Sequence, residues 1–241
     1  MAPRLPTASD FPPYVVVAIV PPPPNQPVSN ALILLHGLGD TNSSFTTFAR
    51  NLSLPETVCI VLQGHTPLPF DLGGFHWGDD IIFDQNTGQM DVDTGFTKAK
   101  RVIGKDIIQS VLGEKCGFTS REVMLLGYGQ GGMAAVAVAA DSTSELGGVI
   151  SIGGPLSSDT KLSEGKARTP VLLLGGSSNT LITASALRRA KDVFSSVEYR
   201  KWAKSGDAMP TNREQMLPIM QFFARRLRSR RGVPEGSVEI G

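Results

Sequence analysis

Short apolar runs alternate along the chain with segments whose apolar residues recur every three or four positions. Ala31 to Leu35, Val58 to Leu62, Val123 to Leu126, Gly148 to Ile152, Val171 to Leu174 and Val197 to Trp202 are the runs. Most are apolar throughout, which predicts parallel strands buried on both faces. Phe96, Ala99, Ile103, Ile107 and Val111 recur at helical spacing. Leu187, Ala190 and Phe194 mark a second helix, and Met216, Met220 and Phe223 a third, each stripe reading as core. Strands alternating with helices predict an α/β fold with a mostly parallel central sheet and helices on both faces. Tyr14 to Val20 adds a strand's length before Pro21 to Pro24 breaks it.

Between Gln63 and Gly95 no period is sustained and Gly, Pro and Asp are frequent. A compact domain tolerates such a stretch chiefly where it lines a site. Phe70, Phe75, Trp77 and Phe83 give this one an apolar content that a purely solvated loop would not need. One domain over residues 14–228 is expected, with 1–13 and 229–241 as loose termini.

Composition narrows the choice of function. With 41% hydrophobic residues a full core is available, and a net charge of +1 supplies no field that would favour nucleic acid or an acidic substrate. Arg225 to Arg231 holds the one basic cluster, expected to end the last helix and fray into solvent. Two cysteines, Cys59 and Cys116, form neither a disulfide framework nor a zinc spacing, so no metal is expected and reduced thiols in a cytoplasmic protein are the simpler reading. Neither a signal peptide nor a membrane span is expected.

The segment Val123 to Met133 reads as a buried strand, a sharp glycine turn and a helix start. That is the frame of a nucleophile elbow, in which G-x-S-x-G lifts a serine hydroxyl above the sheet and the next backbone N–H helps bind the oxyanion. Here Gly129 stands in the nucleophile's place. Gly127, Gly129 and Gly132 also spell the dinucleotide fingerprint. That rival needs an acidic residue after the next strand, yet Ser151 to Pro155 contains none and the first carboxylate is Asp159. No cofactor is therefore expected. His36-Gly-Leu-Gly-Asp40 follows a strand directly, at the carboxyl end where open α/β sheets place ligands.

With that segment, Trp77-Gly-Asp79, the elbow, Ile150 to Gly153 and Thr169 to Leu172, the chain resembles the acyl-protein thioesterase and small carboxylesterase (phospholipase/carboxylesterase) family of α/β-hydrolases, from about Val15 to Phe223. The resemblance implies a Ser-Asp-His triad and an oxyanion hole from the backbone N–H groups of Leu38 and Gln130. It puts the serine at Gly129, the aspartate at Asn179 and the histidine at Asp207, so all three positions are degenerate. Independently, the three histidines, His36, His65 and His76, all precede the elbow, and none can supply the late base in chain order.

The expected protein is a pseudoenzyme that keeps the oxyanion frame and an acyl pocket lined by His36, Phe75, His76 and Trp77. Its partner would be an acyl or other small hydrophobic ligand, or a protein, and the family pattern allows a monomer or weak dimer. The alternatives are a weak ester or thioester hydrolase using Asp207 or His76 with water, and a structural interaction module whose own aromatics fill the pocket.

Overall fold

The computed structural model describes residues 3–83, 88–161 and 165–229 of the chain. Its centre is a seven-stranded sheet. The strands are β1 (Val17–Val20), β2 (Asn30–Leu35), β3 (Thr57–Leu62), β6 (Val123–Tyr128), β7 (Gly148–Ile152), β8 (Val171–Gly175) and β9 (Val197–Lys201). They lie in the order β1-β3-β2-β6-β7-β8-β9, all parallel except β1, which pairs antiparallel with β3 at one edge. A small hairpin of β4 (Thr66–Pro67) and β5 (Phe75–His76) stands beyond the carboxyl end of β3.

All six expected strands form, and the alternation of side chains along them divides the core in two. Ile33, Leu35, Ile60 and Leu125 face one apolar cluster; Leu32, Leu34, Val61 and Leu126 face the other. The first face is covered by α2 (Thr97–Ala99 continued by Lys100–Lys115), α3 (Gln130–Asp141) and α4 (Ala184–Val193), the second by α1 (Asn42–Leu52) and α5 (Arg213–Arg226). In α2 the turn Thr97–Ala99 runs straight into Lys100–Lys115, which is wound as a π-helix. The sequence stripe Phe96, Ala99, Ile103, Ile107, Val111 is fully buried along it. Its sustained spacing of four tolerates a helix wider than the α-form, whose period is about 3.6.

Several expectations are corrected. In α5 the buried residues are Ile219, Phe222 and Phe223, whereas Met220 is exposed, so the inward face is rotated from the methionine stripe. The basic end of α5 is not loose: Arg225 pairs with both oxygens of Glu198, and Arg226 reaches Glu145 and the Gly147 carbonyl. Residues 3–13 are also tied down, by Arg4 N donating to the Cys116 carbonyl, the Arg4–Asp10 ion pair and the buried Phe11. Arg230 onward lies outside the described residues. Both cysteines are free and buried. Among the described residues no helix is long and apolar enough to cross a membrane.

Candidate active site

β6 ends at Tyr128 and α3 begins at Gln130, leaving one residue to reverse the chain. Gly129 does so at φ 52° and ψ −121°, outside the regions open to ordinary side chains. The surrounding glycines are needed for a different reason. A Cβ at Gly127 would run into the Gly131 carbonyl, one at Gly131 into the His36 carbonyl, one at Gly132 into Ser151 Oγ, and one at Gly154 into the Gly129 carbonyl. At Gly129 itself no atom lies within 4 Å of the Cβ position. The frame is therefore packed tight around an apex that is open.

The strip after β2 is fixed just as closely. His36 is buried; its Nδ1 lies 2.7 Å from the Gly37 carbonyl and its Nε2 accepts from Gly64 N at 2.9 Å, which sets the proton on Nδ1. Its carbonyl takes the Trp77 indole N–H at 2.8 Å. Trp77 N in turn donates to Gln130 Oε1 at 2.8 Å, and Gln130 Nε2 donates to the Val92 carbonyl. The strip, the aromatic loop and the elbow are thus one hydrogen-bonded unit. Leu38 N–H meets no acceptor among the described residues. Gln130 opens α3, where the first N–H groups of a helix have no partner within it.

Asn179 and Asp207 lie in adjacent loops, but they do not form an acid–base pair. Asn179, in the left-handed region at φ 50°, donates from Nδ2 to Ser205 Oγ. The Asp207 carboxylate turns inward and accepts from Gly176 N at 2.9 Å, Thr180 Oγ1 at 3.0 Å and Leu181 N at 2.9 Å. Its carbonyl accepts from the Tyr128 hydroxyl at 3.0 Å. Burial and the Asp207 charge push the Tyr128 and Tyr199 phenols up. Sequence reasoning missed these partners of Asp207; the run Gly175 to Thr180 gave no sign that it would present donors to a later loop.

Of the aromatic loop, Phe75 and Trp77 line a cavity of about 200 Å³ with Leu62, His65, Val102 and Ile107. His36 and His76 do not line it: His36 lies behind Trp77, with ring centroids 5.2 Å apart, and His76 points to the other side of β5. Phe70 and Phe83 are exposed, Phe70 by 82%, and lie against each other with tilted rings, centroids 6.4 Å apart, instead of entering the core. His76 is buried and its Nδ1 has no partner among the described residues.

All three histidines are held neutral. Burial, with the Lys98 ammonium, pushes His65 down to about 4; burial also lowers His36 and His76. Because these folded-state values lie below the unfolded value of 6.5, the unfolded chain binds more protons as pH falls. Stability contributed by the neutral rings is present above pH 6.5 and is lost between there and about 4. For His65 alone this is at most about 3 kcal/mol, less once solvent on its open side is counted. Urea midpoints at pH 7.5 and 4.5 should differ accordingly, and His65→Gln should shrink the difference; equal midpoints in the native protein would contradict this account.

Comparison with known proteins agrees with this fold. The family model described as Phospholipase/Carboxylesterase matches residues 17–227. The chain is 30% identical over 207 residues to a protein of Schizosaccharomyces pombe named uncharacterized hydrolase C9G1.08c, covering 83% of this chain and 84% of that one. Among solved structures, esterase PE8 superposes with a TM-score of 0.69 at 19% identity, covering 88% of this chain and 99% of the other. Acyl-protein thioesterase 2 of Zea mays gives a TM-score of 0.58 at 16% identity, covering 88% and 98%. At such identities the structural likeness speaks for the shared fold.

Proposed function

We propose that this chain, which belongs to the phospholipase/carboxylesterase family of α/β-hydrolases, is a pseudoenzyme that binds an acyl or similarly small hydrophobic group at the elbow without cleaving it. The observation that carries the reading is the pairing of an elbow in nucleophile geometry, open above Gly129, with a base position whose side chain is already engaged. Asp207 gives both carboxylate oxygens to three donors of the neighbouring loop, which hold the side chain toward that loop. The N–H groups of Leu38 and Gln130 would then hold the carbonyl oxygen of the bound group, and the cavity beside Phe75 and Trp77 its short apolar end. Without a hydroxyl at residue 129 or a base to deprotonate one, no acyl-enzyme can form by the triad route. A weak hydrolase built on Asp207 or His76 has less support, since Asp207 is engaged and His76 is enclosed. Two free, buried thiols suit a reducing compartment such as the cytoplasm.

The test is hydrolysis of a panel of p-nitrophenyl and thioester acyl substrates, alongside thermal melts with non-hydrolysable acyl analogues. Turnover should be absent, and short acyl analogues should raise Tm, because a ligand that binds only the folded state stabilises it. Gly129→Ser alone should fold and gain little, since a lone serine lacks its base. Turnover by the natural protein with kcat on the order of 1 s⁻¹, abolished by Gln130→Pro, would overturn the reading.

A further inference from the structure

A second and larger recess lies away from the elbow, along the outer side of α2. It has a volume of about 920 Å³ and runs from Thr97 to Gly113 on one wall and from Val138 to Ser144 on the other, reaching Ser120 and Val123 at the start of β6. That is the end of the sheet opposite the carboxyl edge where the elbow stands. Ligand sites generally occupy about 300–1,000 Å³, a range that includes this groove.

The winding of α2 builds the groove. In a helix bonded i to i+5, residues four and five apart share a face. Lys100, Gly104, Lys105, Ile108, Gln109 and Gly113 therefore fall in one stripe, and all of them line the recess. In an α-helix Lys105 would be rotated away from Lys100. The two glycines leave the stripe hollow, and a Cβ at Gly104 would only touch Val138 Cγ1 at 3.9 Å. Phe118 and Val138 are buried in its floor. The cations cluster at one end. Lys100 lies 3.9 Å from Asp141 and Arg101 lies 3.9 Å from Asp106, both beyond hydrogen-bonding distance. Lys105 adds a third cation, and Ser142 and Thr143 lie on the facing wall, where the Ser142 hydroxyl donates to the Ser144 carbonyl. The remaining carboxylate of the lining, Glu114, sits at the far end and is approached by Gln109.

We infer that this groove binds a single-chain amphiphile with an anionic head, carboxylate or phosphate, the head between Lys100 and Lys105 and the chain along Ile108, Val138 and Phe118. Ile108, with Phe118 and Val138 beneath the mixed polar lining, accounts for the chain, the clustered and weakly paired cations account for the charge, and the length of the recess along α2 accounts for an elongated rather than compact ligand. The site is independent of the elbow, so it stands whether or not an acyl group binds there.

Calorimetric titration with dodecanoate, dodecyl phosphate and neutral dodecyl maltoside, each below its micellar concentration, tests it. The anionic probes should bind one to one, and the tighter of the two identifies the head group; the maltoside should not saturate. Lys105→Glu, an exposed change that leaves the core alone, should weaken anion binding by about tenfold or more. Gly104→Leu should abolish it by filling the groove. Absence of saturable binding by either anion, equal binding of the maltoside, indifference to Lys105→Glu, or loss of binding in Phe75→Glu in place of the groove variants would each overturn the proposal.

Discussion

Gly131→Ala is expected to cost the protein more than 3 kcal/mol, although it adds a single methyl group to a helix. In an open helix the same exchange would stabilise, by up to about 1 kcal/mol. Here the new methyl would collide with the carbonyl of His36 and lie 2.5 Å from that of Leu35. Those carbonyls belong to the end of β2, which is hydrogen-bonded to β3 on one side and β6 on the other, so neither can retreat without breaking ladder bonds. Ordinary overpacking costs about 1–3 kcal/mol when side chains yield, and backbone against backbone must cost more. At this size about 3 kcal/mol corresponds to a fall in Tm of roughly 6–12 °C. Gly129→Ala, two residues earlier, meets open space and carries only the strain of its φ, about 1–2 kcal/mol. Urea denaturation of the two variants side by side is the measurement. Equal losses would mean that the close approach of the elbow to β2 is not what holds glycine at residue 131.

Asp207→Ala is expected to be nearly as damaging, by about 3–5 kcal/mol, because it leaves three donors in the Gly176 to Leu181 loop without an acceptor. Hydrogen bonds to a charged group contribute about 1.5–3 kcal/mol each, and three that share one carboxylate add less than their sum. Part of the loss is local: amide exchange at Gly176 and Leu181, both bonded to this carboxylate, should accelerate before the core opens. Asp207→His, which restores the residue type that the family resemblance implies, should not rescue the loop, since a neutral imidazole offers one acceptor where three donors converge. Unchanged exchange at both amides in Asp207→Ala would refute the bracing role. Asp207 thus ties the loop that carries it to the loop from Gly176 to Leu181.

The strands were legible because burial on both faces leaves little room for polar residues, and Asn30–Leu35 and Thr57–Leu62 accordingly extend only one residue beyond their apolar runs. The elbow was legible for a different reason: Gly127 and Gly131 are forced by backbone contact and Gly132 by the Ser151 hydroxyl, so the turn shows in its glycine spacing. What could not be read depends on contacts between distant loops. Nothing in Ala203 to Ala208 announces that Asp207 will turn toward Leu181, and nothing in the aromatic loop separates Trp77, which goes inward, from Phe70, which does not. The winding of α2 was hidden because spacings of four suit two helix types, and the groove that the wider type creates was hidden with it. The pairing of Arg225 with Glu198 escaped notice because a basic helix end has an adequate local explanation in the helix dipole.

Asn30, buried at the start of β2, has one backbone residue as partner for both ends of its amide: Nδ2 donates to the Arg228 carbonyl and Oδ1 accepts from Arg228 N, across 198 positions of sequence. Beside it the buried Glu56 carboxylate accepts from Ser29 on one oxygen and from Ser229 on the other. A central strand and its neighbour are thus completed by residues translated almost two hundred codons later. Until Arg228 and Ser229 have left the ribosome, both buried polar groups lack these partners, so the sheet stays unsealed at that pole however early its strands have paired. The native state is reached only after release of the segment that carries Arg228 and Ser229, and a nascent chain stalled before it should remain open to proteolysis at the β2–β3 end.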